Sequence, residues 1–82
     1  MLNQYRDGID KIDKEIEQLL EKRFELTKAV GEYKKKNKLD IQNTNRENEV
    51  FENIRTLNLE NEKYIIEIYK YIMGISKDQQ SE

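Results

Sequence analysis

Ten positions in the first half of the chain recur at alternating intervals of three and four residues, and nine of them are apolar. The nine are Leu2, Tyr5, Ile9, Ile12, Ile16, Leu19, Leu26, Val30 and Tyr33. The tenth is Arg23. We call this set the apolar stripe. Its period predicts a long helix that packs along its length against other helices.

The arginine within the apolar stripe has to be explained. Within four residues of Arg23 on either side lie the apolar residues Leu19, Leu20, Phe24 and Leu26. Removing a guanidinium from water is costly unless a negative group meets it. Either a buried carboxylate pairs with Arg23, or the helices open there around an anionic ligand. The first arrangement predicts a structural coiled coil, and the second predicts a binding site made of helices.

The composition favours a small all-α protein and excludes several kinds of chemistry. The 82 residues predict a single domain over 1–82, and 35% hydrophobic against 39% charged residues leave little apolar surface for a monomeric core. Proline is absent and glycine occurs three times, which favours helices over strands. Without cysteine or histidine, the chain has no disulfide framework, thiolate nucleophile or histidine base.

The sequence also bounds partners and cofactors. No apolar run approaches membrane-spanning length, and no secretory signal precedes the first helix. The formal net charge of −2 gives no overall attraction to nucleic acid. The carboxylates lack metal-ligand spacing and no glycine-rich phosphate loop is present, so neither a metal nor a cofactor is expected. We therefore expect a soluble cytoplasmic protein with no membrane or nucleic-acid partner.

Three helices are predicted: one long, one short and one of medium length. The first runs from about Leu2 to Lys36 and, at about 1.5 Å per residue, is roughly 50 Å long. A compact globule of this size has a radius of gyration of roughly 12 Å. The first helix must therefore project, and its apolar stripe requires a second chain. Turn residues at 37–40 and 58–61 separate the helices.

The second and third helices carry their own patterns. A capping box of Thr44 to Glu47 predicts the start of the second helix. Its expected apolar face consists of Val50, Phe51, Ile54 and Leu57. The third helix is predicted from about Glu62 to Gln80, and one row of its side chains becomes polar towards its end. That row consists of Ile66, Tyr69, Met73, Ser76 and Gln80.

Several polar residues are candidates for an anion site, and most have an ordinary structural explanation. Lys34 follows Arg23 by close to three turns, so both cations share a face about 16 Å apart and can bracket a small dianion. The lysines at 34–36 and 38 also complement the negative end of the helix dipole. Gly31 costs about 1 kcal/mol within a helix, which suggests close approach of a partner helix or ligand.

The remaining candidates are explained at least as well without a ligand. Glu47 fits the capping box, and Arg6 fits a surface pair with Asp10. Ser76 and Gln80 fit the fraying end of a helix. Taken one at a time, only Arg23 has no ordinary explanation.

Taken together, the polar residues resemble the all-helical class of chorismate mutases. The first part of the resemblance is Leu2-x-x-x-Arg6-x-x-Ile9-x-x-Ile12-Asp13-x-x-Ile16-x-x-Leu19-Leu20-x-x-Arg23. The later parts are Val30-Gly31-x-x-Lys34, Arg46-Glu47, and Ser76 with Gln80. The resemblance spans nearly the whole chain. One position departs from it, because Asn43 stands where many members have an acidic residue.

The resemblance implies an enzyme that rearranges chorismate to prephenate in the biosynthesis of phenylalanine and tyrosine. This pericyclic reaction needs no nucleophile and no obligatory proton transfer, so an enzyme without histidine or cysteine can catalyse it by positioning and charge stabilisation. By resemblance, Arg23 grips one substrate carboxylate and Arg6 the other. Lys34 and Gln80 donate to the ether oxygen, where negative charge grows.

The same resemblance assigns the rest of the site. Glu47 and Asn43 hold the ring hydroxyl of the substrate, and an amide at 43 is expected to weaken binding without abolishing it. Arg46 and Ser76 complete the polar shell. The apolar walls are Val30 and Met73.

Helix geometry indicates that this site needs two chains. Arg6 and Arg23 are 17 residues apart, which is roughly 25 Å along one straight helix. A chorismate-sized molecule cannot contact both on one chain. The expected assembly is an intertwined helical homodimer in which Arg6 comes from a second, antiparallel copy.

Two alternatives to the mutase remain. A relative within the same fold, isochorismate-pyruvate lyase, uses a similar pocket for a pericyclic elimination. A different class is a non-catalytic helical dimerisation or regulatory module, which loss of several site residues would favour. Only position 43 departs. The chain is too short to include a fused dehydratase, dehydrogenase or synthase domain.

Overall fold

Residues 1–81 form three helices, in the order and lengths expected. The computed structural model describes residues 1–81 and the side chains of residues 1–80. The helices are α1 (Leu2–Lys36), α2 (Thr44–Thr56) and α3 (Glu62–Ser81). The described part of the chain has no strand. The all-α prediction is therefore confirmed.

Both turns lie where the sequence placed them. The side chain of Asn37, the residue after α1, donates from Nδ2 to the carbonyl oxygen of Tyr33 over 2.8 Å. Lys38 follows with a φ of 56°, and Asn58 in the second turn has a φ of 55°. A left-handed residue directs the chain out of a helix, and asparagine tolerates this conformation better than most residues.

The start of α2 differs from the prediction. Asn43 is the N-cap, and its Oδ1 accepts a hydrogen bond from the backbone N–H of Arg46 over 3.1 Å. Thr44 is the first helical residue, so the predicted capping box of Thr44 with Glu47 is wrong. An asparagine one residue earlier supplies the cap and leaves the Glu47 side chain available elsewhere. Leu57, expected on the apolar face, lies beyond the helix and is 65% exposed.

The packing leaves much of α1 without a neighbour. Helix α3 contacts both α1 and α2, and the most buried apolar side chains are Ile54 and Met73. From Met1 to Leu19, every residue except Gly8 is exposed. The molecule measures 54 × 24 × 15 Å, with a radius of gyration of 15.6 Å. The prediction of a projecting first helix is therefore confirmed.

The apolar stripe faces solvent in the single chain. Its nine apolar members are between 45% exposed, at Val30, and 68% exposed, at Leu26. So large an apolar surface on one helix is typical of an interaction site. Among residues 1–81, no helix is long and apolar enough to cross a membrane. The cytoplasmic location stays a prediction.

Candidate active site

A cavity of about 310 Å³ lies where the three helices meet. Helix α1 contributes one face, because positions 23, 27, 30 and 34 are spaced by four, three and four residues. The first turn of α2 and the last turns of α3 form the other walls. Seven of the eight predicted site residues line it, namely Arg23, Lys34, Asn43, Arg46, Glu47, Ser76 and Gln80. Val30 and Met73, the expected apolar walls, line it as well.

Arg23 is satisfied without a carboxylate. Its Nη1 donates to Ser76 Oγ over 3.0 Å, and the Ser76 hydroxyl donates in turn to the carbonyl oxygen of Ile72 over 2.8 Å. The guanidinium carbon lies 5.9 Å from the centre of the Tyr69 ring, within range of a cation–π contact. Within residues 1–81 no acidic side chain pairs with Arg23. Of the two arrangements that the sequence allowed, the structure has the open pocket.

Lys34 and Gln80 meet at the other end of the cavity. The Lys34 ammonium donates to the carbonyl oxygen of Ile41 over 2.7 Å and to Gln80 Oε1 over 3.2 Å. An ammonium has three hydrogens, so one is left to point into the cavity. Because Oε1 of Gln80 accepts from Lys34, the amide Nε2 remains as a donor. The two side chains together present two N–H donors to one location.

Helices α1 and α3 approach very closely beside this pair. Gly31 is buried, and a Cβ at this position would lie 3.1 Å from the Cα of Gln80. Next to it, Gln79 clamps the helices together: its Nε2 donates to the carbonyl oxygen of Phe24 over 2.9 Å, and its Oε1 accepts from Thr27 Oγ1 over 2.7 Å. The expected close approach at Gly31 is confirmed, and the partner is the helix that carries Gln80.

Glu47 reaches across to α3. Its Oε1 lies 3.0 Å from the ammonium of Lys77, and the two side chains are 23% and 37% exposed. Arg46, which also lines the cavity, pairs instead with Glu49 over 3.1 Å, and both side chains are exposed. Glu47 is therefore the carboxylate that the α2 wall presents to the cavity.

Arg6 lies outside this arrangement. It is exposed, it does not line the cavity, and within the described chain it forms no ion pair with Asp10. The surface pair considered from the sequence is therefore absent. Its distance along α1 keeps it from the cavity of its own chain, as the sequence spacing indicated.

Sequence reasoning missed part of the cavity wall. The missed residues are Leu26, Thr27, Ile41, Val50 and Lys77. The first two were detectable, because Leu26 belongs to the apolar stripe and Thr27 lies four residues after Arg23 and seven before Lys34. Ile41 contributes a backbone carbonyl, which no side-chain pattern reveals. Whether Lys77 lines the cavity depends on the angle at which α2 meets α3.

The chain is similar to known proteins along nearly its whole length. The family described as chorismate mutase type II matches residues 5–81. The chain is 40% identical over 79 residues to a bifunctional chorismate mutase/prephenate dehydratase of Aquifex aeolicus (strain VF5). That match covers 89% of this chain and 22% of the relative, so the chain spans about a fifth of the curated protein's length. No solved structure gives a significant match. The family match covers nearly the whole chain, and the chain therefore belongs to the chorismate mutase type II family.

Proposed function

We propose that the chain is a chorismate mutase, which converts chorismate to prephenate for aromatic amino acid biosynthesis. The observation that carries the proposal is the cavity itself. It gathers Arg23, Lys34 and Arg46 around a space of about 310 Å³, enough for a small dianion. It offers fixed hydrogen-bond donors and no histidine or cysteine. Such a site suits a reaction that needs only positioning and charge stabilisation.

In this reaction one C–O bond of the substrate breaks and one C–C bond forms, and no atom leaves. Negative charge grows on the ether oxygen as the C–O bond breaks. Lys34 and Gln80 supply the stabilising donors, because each keeps an N–H free beside their mutual hydrogen bond of 3.2 Å. Donors fixed before the reaction stabilise the transition state more than the ground state.

The polar ends of the cavity hold the rest of the substrate. Arg23, held by Ser76 and by the Tyr69 ring, grips one carboxylate. Glu47 accepts a hydrogen bond from the ring hydroxyl, with Asn43 beside it at the start of α2. The Oδ1 atom of Asn43 already accepts the hydrogen bond that caps α2. This supports the expectation that Asn43 binds the substrate hydroxyl more weakly than an acidic residue would. Arg46 completes the positive lining.

The second substrate carboxylate requires Arg6 of another copy. We infer an intertwined homodimer in which the projecting half of α1 lies over the partner's cavity. Two observations support it: the exposure of the apolar stripe, and the exposure of nearly all residues from Met1 to Leu19. Pairing two such helices would bury the stripe and bring each Arg6 towards the other chain's site.

The activity test follows loss of chorismate absorbance and measures prephenate, salicylate and pyruvate separately. Lys34→Ala should lower kcat by roughly 100-fold to 1000-fold, with a smaller effect on KM, because the lost donor acts mainly in the transition state. The matched control is Lys36→Ala, which removes an exposed lysine from the same turn and should leave kcat unchanged.

Three results would refute the proposal: no prephenate from a folded wild-type sample, pyruvate and salicylate as its products, or a Lys34→Ala variant as active as the control.

The shared site is tested by mixing two inactive variants. Arg6→Ala and Arg23→Ala homodimers should each be nearly inactive. When the two are denatured together and refolded in equal amounts, half of the dimers are mixed, and one of the two sites in each mixed dimer has both arginines. About a quarter of wild-type activity should return. The unmixed variants refolded alone provide the baseline. Absence of recovery, with mixed dimers demonstrated, would show that Arg6 does not act across an interface.

A further inference from the structure

Lys77 lines the cavity, but the proposed reaction assigns it no task. It lies in the last turns of α3, directly after Ser76 and three residues before Gln80, both of which belong to the site. Its ammonium is 3.0 Å from Glu47 Oε1, on the opposite wall. The pair therefore joins α2 to α3 at the end of the cavity where the substrate's hydroxyl is expected.

The charges around the cavity explain why Glu47 needs a cation. Among residues 1–80, Glu47 is the one carboxylate that lines the cavity. The proposed dianionic substrate would lie beside it. Arg46, one residue earlier, lines the cavity as well, but its guanidinium is paired with Glu49 over 3.1 Å. Lys77 makes the Glu47 end of the cavity neutral, so the charges of Arg23 and Lys34 remain for the substrate.

The geometry also fixes the Glu47 side chain. A glutamate has several rotatable bonds, and holding it in one orientation costs conformational entropy. With Oε1 directed at Lys77, Oε2 stays available to accept a hydrogen bond from a hydroxyl. An ion pair of two side chains 23% and 37% exposed adds little to the stability of a fold. Its larger effect is on the orientation of Glu47 beside the cavity.

We propose that Lys77 is a positioning residue that orients the Glu47 carboxylate towards the ring hydroxyl of the substrate, and so sets the preference for a hydroxylated ring. The inference rests on the proposed function, because it takes chorismate as the substrate. Neither the resemblance nor the family match assigns a task to this lysine.

The test compares two substrates, chorismate and an analogue that lacks the ring hydroxyl. The measured quantity is kcat/KM for chorismate divided by kcat/KM for the analogue. Lys77→Met should lower this ratio about fivefold, the size of a weakened hydrogen bond to a charged acceptor. Lys77→Arg should restore most of it. In Lys77→Met, no cation balances the charge of Glu47. The uncompensated charge weakens the binding of both dianionic substrates equally, so this effect cancels in the ratio. The matched control is Lys70→Met, which removes an exposed lysine two turns earlier on the same face of α3.

A double variant separates orientation from a structural role. Glu47→Gln alone should lower the ratio, and adding Lys77→Met should lower it no further, since the group that Lys77 orients has been replaced. Melting temperatures of all variants should stay close to that of the wild type. If Lys77→Met lowers kcat/KM for both substrates equally, or lowers the ratio equally with and without Glu47, the inference is wrong while the mutase proposal stands. If wild type converts no chorismate, both are wrong.

Discussion

Gly31→Ala should damage the site by adding one methyl group. The new Cβ would lie 3.0 Å from Cγ, 3.1 Å from Cα and 3.2 Å from Cβ of Gln80. Carbon atoms pack comfortably at about 3.5 to 4.0 Å, so the helices must separate by roughly half an ångström. Since one of the three atoms is a backbone carbon, a change of the Gln80 rotamer cannot relieve the contact.

The expected magnitude combines two opposing effects. Alanine is favoured over glycine within a helix by about 1 kcal/mol, whereas overpacking costs about 1 to 3 kcal/mol. We expect a net loss of up to about 2 kcal/mol. Activity should suffer more, because Gln80 moves away from Lys34 and from the ether oxygen. Misplacement by about 1 Å costs roughly 100-fold, so half of that predicts about a tenfold loss of kcat.

The assay pairs kcat at saturating chorismate with thermal melting followed by circular dichroism. Gly74→Ala is the matched control, because it makes the same change within α3, the helix that Gly31 approaches, and its added Cβ meets nothing within 4 Å. It should melt at a higher temperature and keep full activity. A Gly31→Ala enzyme as stable and as active as Gly74→Ala would show that the close approach to Gln80 has no role in the site.

Three further predictions follow from particular contacts. Arg23→Leu should melt no lower than wild type yet lose most activity, since it strands no carboxylate; a large fall in melting temperature would contradict this. Asn43→Ala should lower the free energy of unfolding by about 1 kcal/mol through loss of the helix cap. Asn43→Asp should keep the cap and raise kcat/KM about fivefold. Equal stability of the Asn43→Ala and Asn43→Asp variants would contradict this. Gln80→Glu should confine activity to acidic pH, because a glutamic acid, with an ordinary pKa of about 4.3, donates only when protonated; an unchanged pH profile of kcat would contradict this.

Much of the fold could be predicted from the sequence, because amphipathic helices have a local periodicity of apolar residues. The 3-4 spacing of the apolar stripe extends to Tyr33, and α1 ends three residues later, at Lys36. The turn residues at 37–40 and 58–61 mark both breaks. The error at the start of α2 came from two acceptable caps in adjacent positions. Asn43 and Thr44 can each cap a helix, and only the path of the preceding chain decides between them.

The site was less accessible, because its contacts join residues far apart in sequence. The spacing of Arg23 and Lys34 placed both on one face of α1, but which residues of α3 meet them depends on where the two helices cross. That crossing is set by a glycine and by an amide clamp between Gln79 and Thr27, neither of which carries a charge or an apolar pattern. The pairing of Glu47 with Lys77 depends in addition on the cap at Asn43, which leaves Glu47 free of the helix end.

The way that Arg23 is held bears on why such a site can bind an anion. A carboxylate partner would have compensated the guanidinium, and the substrate would then have had to displace it. The structure supplies a serine hydroxyl at 3.0 Å and the face of a tyrosine ring, which orient the guanidinium without cancelling its charge. The Ser76 hydrogen is committed to the carbonyl oxygen of Ile72, so its oxygen can only accept from Arg23. Arg23 is thereby kept in place with its charge available, and this is the arrangement that an anion site requires and a structural ion pair lacks.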